Sequence, residues 1–444
     1  MGQRMTRRQV AEGLELYAQK NYDAAIKKWT TALPKMKDNR LRFSTLGYLA
    51  LASRDRGRNK DYLVHAVQQI DIAHELDDNV LRAQAYLNLS RANEMLADYF
   101  KAVSYSRLAM QFSPATDVVQ GYALLVMADS YIGLCNFPKV LEYLDKALSI
   151  SHENEDHLME VQVLNTMGKV FLVLKDFPKA LAFQQRAHEL ALSNAVYAGE
   201  QNANSSAKFV RLTKLKLATS LRIMGDFQGA TKCVEEAMRS ASSVGDRPVQ
   251  AKCLVCVGDI QRSQNNNEVG RKSYSPDRAS LRVACKKYEA AIQMLQDMND
   301  RYSSTLAMLG LVKTLLALDT QKQMASEILV TALSTATAMG NKLMQARCHL
   351  LNERMLASEN QINEARQAFE IAHRLYREVD LMCTICKNPI GMYRDQIQIL
   401  TCTHIFHERC ILNLLQKWTY EAQTCPKCNK SVLYSRSYIA LSVS

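Results

Sequence analysis

The chain is 444 residues long, with 48% hydrophobic and 23% charged residues. This is the balance of an ordinary globular protein, and the length predicts more than one cooperative unit. The formal net charge is +12, but the lysines and arginines are spread along the chain without a basic block or an interleaved aromatic platform. We therefore expect no nucleic-acid partner. No run of eighteen apolar residues occurs, which argues against a transmembrane span.

The twelve cysteines form two sets that indicate the compartment. Six lie between residues 383 and 428, and six are scattered through helical sequence with no secretory signal ahead of them. This distribution predicts a reducing cytosol. Cys253 and Cys256 have the spacing of a metal or redox hook. Because no second ligand pair lies near them in the sequence, two buried small side chains are the favoured interpretation.

The first residues, Met1-Gly2-Gln3-Arg4-Met5-Thr6, fit the N-myristoylation pattern of Gly2 followed four residues later by Ser or Thr. Arginines stand at positions 4, 7 and 8. One myristoyl chain binds a bilayer only marginally, and basic residues supply a second attraction to anionic lipid. Residues 1–8 are thus predicted to be a myristoylated basic segment. A frayed helix start with solvated arginines explains the motif equally well.

From residue 9 to about residue 380 the chain repeats a helical pattern. Small residues recur at i and i+7 with a third position at i+4, which places all three on one helix face and lets a neighbouring helix approach closely. An Asn or Asp followed by an aromatic residue often stands four positions earlier and suits an N-cap. Glycines mark the preceding helix at positions 13, 168, 258 and 310. The triplets are Ala25/Trp29/Ala32, Ala102/Ser106/Ala109, Val140/Leu144/Ala147, Ala180/Gln184/Ala187, Ala230/Val234/Ala237, Ala284/Tyr288/Ala291, Ala325/Leu329/Ala332 and Ala365/Phe369/Ala372.

This pattern resembles the tetratricopeptide repeat, whose helix pairs stack into a right-handed solenoid. The usual period is about 34 residues, whereas the steps here are longer, as from Ala102 to Val140 and from Ala284 to Ala325. The helices are therefore expected to be about one turn longer than usual. The resemblance implies about seven to eight repeats over residues 9–341, one of them degenerate around Gly47 and Ala66.

Two of the steps are long enough to predict loops. The extra residues fall at about 195–206, which are rich in Asn, Ser and Gly, and at about 265–280. In the second stretch, Asn265-Asn266-Asn267 and Ser275-Pro276 are expected to break the helical periodicity. We expect a mobile loop there. A plain exposed insertion is favoured over a phosphorylation site at Ser273 or Ser275.

Residues 342–380 are predicted to close the solenoid. The last helix carries Ile362, Ala365, Phe369, Ala372, Tyr376 and Val379, whose alternation of three and four suits a short coiled-coil seam. The seam is under three heptads long and includes a repeat triplet. We therefore favour a closing helix of the solenoid with an exposed seam for a partner helix.

Residues 381–430 contain eight metal-binding side chains in a regular pattern. Short Cys-x2-Cys hooks bind one tetrahedral zinc through two thiolates, and two histidines in register argue against cysteines that are merely buried or disulfide-bonded. Roughly fifty residues bury too little apolar surface to fold alone, so metal binding must supply folding free energy. Every ligand position is a protein side chain, which predicts two structural Zn²⁺ ions. The pattern is Cys383-x2-Cys386, Cys402-x-His404-x2-His407-x2-Cys410 and Cys425-x2-Cys428.

The order of these ligands resembles a RING finger of the two-histidine type. The resemblance implies interleaved pairs, with Cys383, Cys386, His407 and Cys410 on one zinc and Cys402, His404, Cys425 and Cys428 on the other. The expected fold class is an all-α tetratricopeptide-repeat solenoid followed by a small zinc-stabilised α+β RING domain at 381–430 and a tail at 431–444.

Active RING ligases bind a ubiquitin-conjugating enzyme, and the resemblance implies contacts to it at Ile385, Leu414 and Pro426. Ile385 and Pro426 match the residue types of active RINGs. Leu414 stands where a tryptophan is usual, with Trp418 one turn later, and Asn429 stands where an arginine is frequent. Ubiquitin ligase activity is therefore kept as an alternative or accessory function.

Several stretches together resemble the rapsyn family of synaptic scaffolds for acetylcholine receptors. The resemblance implies a peripheral membrane protein on the cytoplasmic face of the postsynaptic plasma membrane, anchored in the inner leaflet by myristate on Gly2. Its solenoid would self-associate, its last helices would bind intracellular helices of the receptor, and cytoskeletal linker proteins would attach to it. The stretches are Met1-Gly2-Gln3, Leu87-Asn88-Leu89, Asn93-Glu94, Gly245-Asp246-Arg247-Pro248 and His404-Ile405-Phe406-His407.

Overall fold

The computed structural model describes residues 2–197, 203–269, 277–400, 402–415 and 424–430. Within these ranges, eighteen helices form nine consecutive pairs, and each helix packs against the next one in the chain. A short 3-10 turn, Leu33–Lys35, follows the second helix. The helices are α1 Gly2–Ala18, α2 Tyr22–Ala32, α3 Asn39–Asp55, α4 Asn59–Glu75, α5 Asn79–Met95, α6 Tyr99–Gln111, α7 Val118–Gly133, α8 Phe137–Glu153, α9 His157–Val173, α10 Phe177–Tyr197, α11 Ala203–Met224, α12 Phe227–Ser243, α13 Arg247–Val269, α14 Arg278–Asp297, α15 Arg301–Leu318, α16 Lys322–Ala338, α17 Lys342–Ser358 and α18 Ile362–Glu378.

The predicted fold class, a helical solenoid followed by a small α+β domain, is confirmed. Eight pairs, α1–α16, precede residue 342, and α17 with α18 forms the ninth. The small domain begins directly after α18. Among the helices of the described ranges, none combines the length and apolarity that crossing a bilayer requires.

The small-residue triplets form the packing face within each pair, and glycines on the preceding helix admit large side chains. Trp29 is fully buried and its indole Nε1 donates to Val10 O at 3.2 Å. A Cβ on Gly13 would lie 2.1 Å from that nitrogen, and a Cβ on Gly258 of α13 would lie 3.0 Å from the ring of Tyr288 on α14. Gly310 contacts the same ring from the following pair, because it lies on α15 and a Cβ there would be 2.5 Å away. Gly13 and Gly310 therefore leave no room for a side chain.

Most of the predicted caps lie at the corners where the second helix of a pair begins. Asn21, Asn136, Asp176 and Asp226 each accept a hydrogen bond from the backbone N–H three residues later. Each thereby satisfies one of the free amides at a helix start. Asp98 makes no such bond, because its carboxylate pairs instead with Arg301 from a distant helix.

The first helix begins earlier than the sequence analysis expected. α1 starts at Gly2, so residues 2–8, predicted as a separate segment, form its first two turns. Thr6 and Val10 are buried, whereas Arg4 and Arg8 are exposed. The alternation of buried and exposed positions follows the helical period.

The two insertions contain more helix than predicted. Residues 195–197 belong to α10 and 203–206 to α11, while 198–202 lie outside the described residues. The expectation that Asn265–Asn267 break the helix is wrong, because they lie near the end of α13. Asn265 is buried and its side-chain amide donates to Asp277 O at 2.9 Å. Because its side-chain donor is satisfied, Asn265 does not compete for the backbone hydrogen bonds of α13. Ser273 and Ser275 lie outside the described residues.

The seam expected on α18 is only partly exposed. Ala365, Ala372 and Tyr376 are buried, whereas Ile362 is 64% and Phe369 37% exposed. The expectation of a continuous exposed seam is therefore wrong, because the small domain covers its C-terminal half. Tyr376 OH donates to Gly391 O of that domain at 3.4 Å.

The solenoid coils far enough to contact itself about two hundred residues later. Arg301 at the start of α15 donates through Nε to Leu96 O, 2.7 Å away at the corner between α5 and α6. Cys135, between α7 and α8, donates its thiol to Asn341 Oδ1 at 3.4 Å. Arg347 on α17 donates to Val173 O at 3.3 Å. The corners that follow α5, α7 and α9 thus contact, in the same order, helix pairs that come about two hundred residues later in the chain.

Replacing Arg301 tests whether these contacts stabilise the coil. Arg301→Gln removes a charge-assisted hydrogen bond to Leu96 and an ion pair to Asp98, and both are partly solvent-exposed. We expect the free energy of unfolding, from urea denaturation followed by circular dichroism, to fall by about 1–2 kcal/mol.

The matched control is Arg366→Gln. Arg366 lies 3.3 Å from Glu370 on the exposed face of α18, where such a pair is worth roughly 0.3–0.5 kcal/mol. Equal losses in the two variants would contradict a stabilising role for the closing contacts.

Candidate metal centre

The small domain is built on a short hairpin and one helix. Strand β1 Ile397–Ile399 pairs antiparallel with β2 Ile405–His407, with Ile397 opposite His407, and α19 Glu408–Leu415 follows at once. Phe406 and Ile411 are fully buried beneath the sheet and helix. With Ile390, Ile397 and Leu400 they form a small apolar core, which agrees with the need for metal binding to complete the fold.

Two loops of the same geometry present the Cys-x2-Cys hooks. The Cys383 N–H donates to Asn388 O at 2.9 Å, and the Cys383 carbonyl accepts from Lys387 N–H at 2.8 Å. Cys425 repeats both bonds, with Lys430 O at 2.8 Å and Asn429 N–H at 2.9 Å. These bonds turn each loop tightly enough to aim two thiols at one point.

The eight predicted side chains lie in two groups, and the groups are those implied by the RING resemblance. Within each group all donor atoms lie within 4.8 Å of one another. Cys386 Sγ is 3.3 Å from His407 Nδ1, and Cys402 Sγ is 3.4 Å from His404 Nδ1. A tetrahedral zinc with bonds of 2.0–2.3 Å separates its ligands by about 3.5 Å. The groups are Cys383, Cys386, His407 and Cys410, and Cys402, His404, Cys425 and Cys428.

The donor chemistry fits zinc as well as the spacing does. Thiolate and imidazole ligands in a closed set of four are typical of structural Zn²⁺. Burial and the neighbouring ligand thiols together raise the pKa of Cys402 and of Cys410 to about 12. A bound cation reverses this preference, so metal binding and thiol deprotonation are coupled.

A carboxylate stands behind one of the histidines. His407 is 2% exposed, and its Nε2, the nitrogen directed away from Cys386, lies 3.8 Å from Asp395 Oδ2. Carboxylates placed behind ligating histidines orient the ring and raise its basicity. The sequence analysis did not single out Asp395, since it falls in the irregular gap between ligand pairs.

The metal domain docks on the solenoid through a buried carboxylate at the corner between α9 and α10. Asp176 has no exposed side-chain surface. Its Oδ1 accepts from Lys179 N–H at 3.3 Å and caps α10, while Oδ2 accepts from Ile397 N–H of β1 at 3.0 Å. Lys179 Nζ balances the charge at 3.3 Å and also donates to Ile397 O. One aspartate therefore joins a helix start to a strand of the other domain.

Backbone and ring contacts extend this interface. Gly391 has φ +78°, and a Cβ there would lie 3.1 Å from Leu174 Cα. The Arg394 guanidinium lies 5.2 Å from the centre of the Phe177 ring. One continuous hydrophobic cluster includes residues of both domains, among them Leu174, Leu375, Leu381, Ile390, Ile397 and Phe406. The metal domain thus shares the core of the solenoid.

The candidate conjugating-enzyme contacts take no part in the hydrogen bonds, ion pairs and ring contacts that join the described RING residues to the solenoid. Ile385 and Leu414 are half-buried and pack against the hydrophobic cluster that the two domains share, and Pro426 is half-buried beside the second hook. The three residues thus retain solvent-accessible surface, and Trp418 lies outside the described residues.

Comparison with known proteins identifies the family. Residues 1–79 match the family model described as rapsyn N-terminal myristoylation and linker region. The chain is 29% identical over 435 residues to the 43 kDa receptor-associated protein of the synapse of Tetronarce californica, covering 97% of this chain and 98% of that protein. To the protein of the same name from Gallus gallus it is 32% identical over 432 residues, again covering 97% and 98%. The chain belongs to the rapsyn family.

Two further likenesses concern the separate parts of this rapsyn-family chain. Residues 381–429 match the ring finger domain model, so the two clusters form a RING domain that binds two zinc ions. A stretch of 53 residues is 40% identical to E3 ubiquitin-protein ligase RNF128 of Xenopus laevis, covering 12% of each chain. The Rap conjugation gene regulator of plasmid pLS20 superimposes with a TM-score of 0.52 at 12% identity, over 85% of this chain and 96% of that one, and shares the fold alone.

Asp176→Asn tests the docking of the RING. The asparagine still caps α10 through its oxygen but presents an NH₂ group to the Ile397 N–H, leaving a buried donor unpaired. We expect a loss of about 1–3 kcal/mol in the free energy of unfolding and faster removal of zinc by a chelator.

Asp226→Asn is the matched control, because Asp226 caps α12 through Gly229 N–H at 2.8 Å and no described contact joins it to the RING. Its zinc release should equal that of the unaltered chain. Equal zinc release from the Asp176 and Asp226 variants would show that Asp176 does not hold the RING.

Proposed function

We propose that the chain is a peripheral membrane scaffold that binds and clusters receptors, specifically acetylcholine receptors at the postsynaptic membrane, and links them to the cytoskeleton. The observation that carries the proposal is the match over nearly the whole length to proteins named for association with a receptor at the synapse. A solenoid supplies broad surface for several partners, and self-association multiplies weak contacts into clusters. We infer that the last helices bind the receptor's intracellular helices.

The first helix supports attachment to the inner leaflet through myristate on Gly2. α1 has no acidic residue in its first turn, where a negative charge would interact favourably with the helix dipole. It carries arginines instead, and the side chains of Arg7 and Arg8 are 68% and 82% exposed although they lie 3.6 Å from Asp38 and 3.0 Å from Glu12. Met5, which precedes both, is 63% exposed. Exposed arginines near an exposed apolar side chain would be attracted to an anionic lipid surface.

The anchoring part of the proposal is tested with Gly2→Ala. Without an acceptor glycine, the chain loses the acyl group, and basic residues alone are too weak to retain it. We expect most of the protein to move from the membrane pellet to the supernatant and co-expressed receptor clusters to disperse.

Gln3→Ala is the control, since it alters the same helix turn and keeps Gly2. Unchanged membrane pelleting of the Gly2→Ala protein would disprove acyl anchoring. Release of the Gly2→Ala protein from the membrane while the receptor clusters stay intact would disprove a role for membrane anchoring in clustering.

A second candidate function, ubiquitin ligase activity, is favoured by one observation. Ile385, Leu414 and Pro426 retain accessible surface, and none of them is in a described hydrogen bond or ion pair with the solenoid. This accessible surface is what a conjugating enzyme would contact. Leu414 and Asn429 depart from the residues usual at those positions, so this activity is proposed as accessory to scaffolding.

The ligase proposal is tested by ubiquitin-chain formation with a panel of conjugating enzymes. If it is correct, the unaltered chain forms ubiquitin chains and Ile385→Ala lowers the rate at least about tenfold, the effect of losing one buried apolar anchor. Tyr393→Ala, at a RING side chain that is 60% exposed, should change little. No ubiquitin chains with any enzyme of the panel would remove this function.

A further inference from the structure

A cavity of about 370 Å³ opens between the first helices of three successive pairs. Arg262 of α13, Lys313 of α15 and Arg354 of α17 line it, with Lys322 at the rim. The apolar part of the wall comes from Leu315, Leu316 and Leu351. The volume is that of a typical small-ligand site.

The positive charge of this cavity is not balanced by protein carboxylates. Asp319 lies 3.4 Å from Lys322 and its side chain is 76% exposed. Among the described residues, Lys313 and Arg354 have no carboxylate within ion-pair distance. Two cations of the lining are therefore left without a partner of opposite charge.

Arg262 is only partly neutralised. It lies 3.0 Å from Asp259, but that carboxylate also pairs with Arg222 and accepts from Tyr288 OH. The Arg262 Nε is buried and has no hydrogen-bond partner within the described part of the chain. A buried donor without a partner is costly, and Arg262 lines the cavity with a charge that Asp259 only partly balances.

The cations are close enough to disfavour one another's charge. Lys313 and Arg354 are exposed at the cavity. Desolvation by surrounding protein atoms, Arg262, Arg347 and Lys175 together lower the pKa of Lys313 to about 8 against an opposing effect from Asp259. Burial, Arg347, Arg354 and Arg394 together lower the pKa of Lys175 to about 8. A bound anion would relieve this repulsion.

We propose that this cavity binds a small free molecule carrying more than one phosphate group, held by Lys313, Arg354 and Arg262. Phosphate suits the site because guanidinium groups bind its oxygens in a bidentate manner and because several cations call for more than one negative charge. A compact ligand suits it because the cavity holds only about 370 Å³. The neighbouring cations are engaged elsewhere, since Arg347 donates to Val173 O and Lys175 donates to Met392 O of the RING.

The experiment titrates fructose 1,6-bisphosphate, as a compact bisphosphate probe, into the full-length zinc-loaded chain by calorimetry at constant ionic strength. We expect one saturable site for this probe and none for fructose. Lys313→Gln and Arg354→Gln should each weaken the affinity at least about tenfold, the effect of losing one charge-assisted contact. Lys101→Gln, at an exposed lysine of α6, should leave the affinity unchanged.

The two test variants should fold at least as well as the unaltered chain, because each removes a repelled charge, and circular dichroism melting checks this. No saturable binding, or equal affinity in Lys313→Gln and Lys101→Gln, overturns the proposal. A decaglutamate peptide that binds with Lys313 dependence where the bisphosphate does not would also overturn it, in favour of an acidic protein segment.

Discussion

The carboxylate of Asp176 is the interaction on which the arrangement of the molecule depends. It is fully buried and satisfies two backbone amides, one at the start of α10 and one in strand β1 of the RING. Lys179 balances its charge and bonds the same strand. A buried charge is tolerated when it is paired and its hydrogen bonds are satisfied, and removing one partner is then costly. The RING is therefore held by the solenoid in one orientation.

Coiling of the solenoid makes this docking possible. Small rotations between nine helix pairs bring the corner between α9 and α10 against α17 and the RING. The same coiling joins Leu96 to Arg301 and Cys135 to Asn341. Helix α1, proposed above to carry the membrane anchor, and the RING are thus parts of one body, which suits the proposed scaffold function. A RING on a flexible linker would have no such constraint.

The helix pairs and the zinc-binding hooks were predictable because their signals are local, whereas the interleaved grouping of the ligands was implied by the resemblance to RING fingers. A triplet such as Ala25/Trp29/Ala32 lies within two helix turns, and the hooks Cys383-x2-Cys386 and Cys425-x2-Cys428 are set by adjacent residues. The helical state of Asn265 was not predictable, because its amide is satisfied by Asp277 across the end of α13. There a tertiary hydrogen bond outweighed the low helix propensity of asparagine.

The closing contacts and the RING interface left no sequence signal. In the sequence Asp176 looks like another N-cap residue, as Asp226 does. Only the structure shows that Asp176 also contacts the RING. Cys135 reads as a core cysteine, although it bonds Asn341 across the coil. Contacts between residues two hundred positions apart depend on the sum of many small rotations, which a single repeat does not encode. Phe369, predicted both in a repeat triplet and in an exposed seam, is 37% exposed, because no further pair follows α18 in the solenoid.

Hydrogen–deuterium exchange of the full-length chain, before and after zinc removal by a chelator, tests the shared body most directly. If the solenoid and RING form one cooperative unit, the amide of Ile397 loses protection, and so do the amides at the start of α10 and those of α17 facing that corner. Exchange that changes only within residues 381–430 would contradict this account, because it would show a metal domain that unfolds without disturbing the helices that hold it.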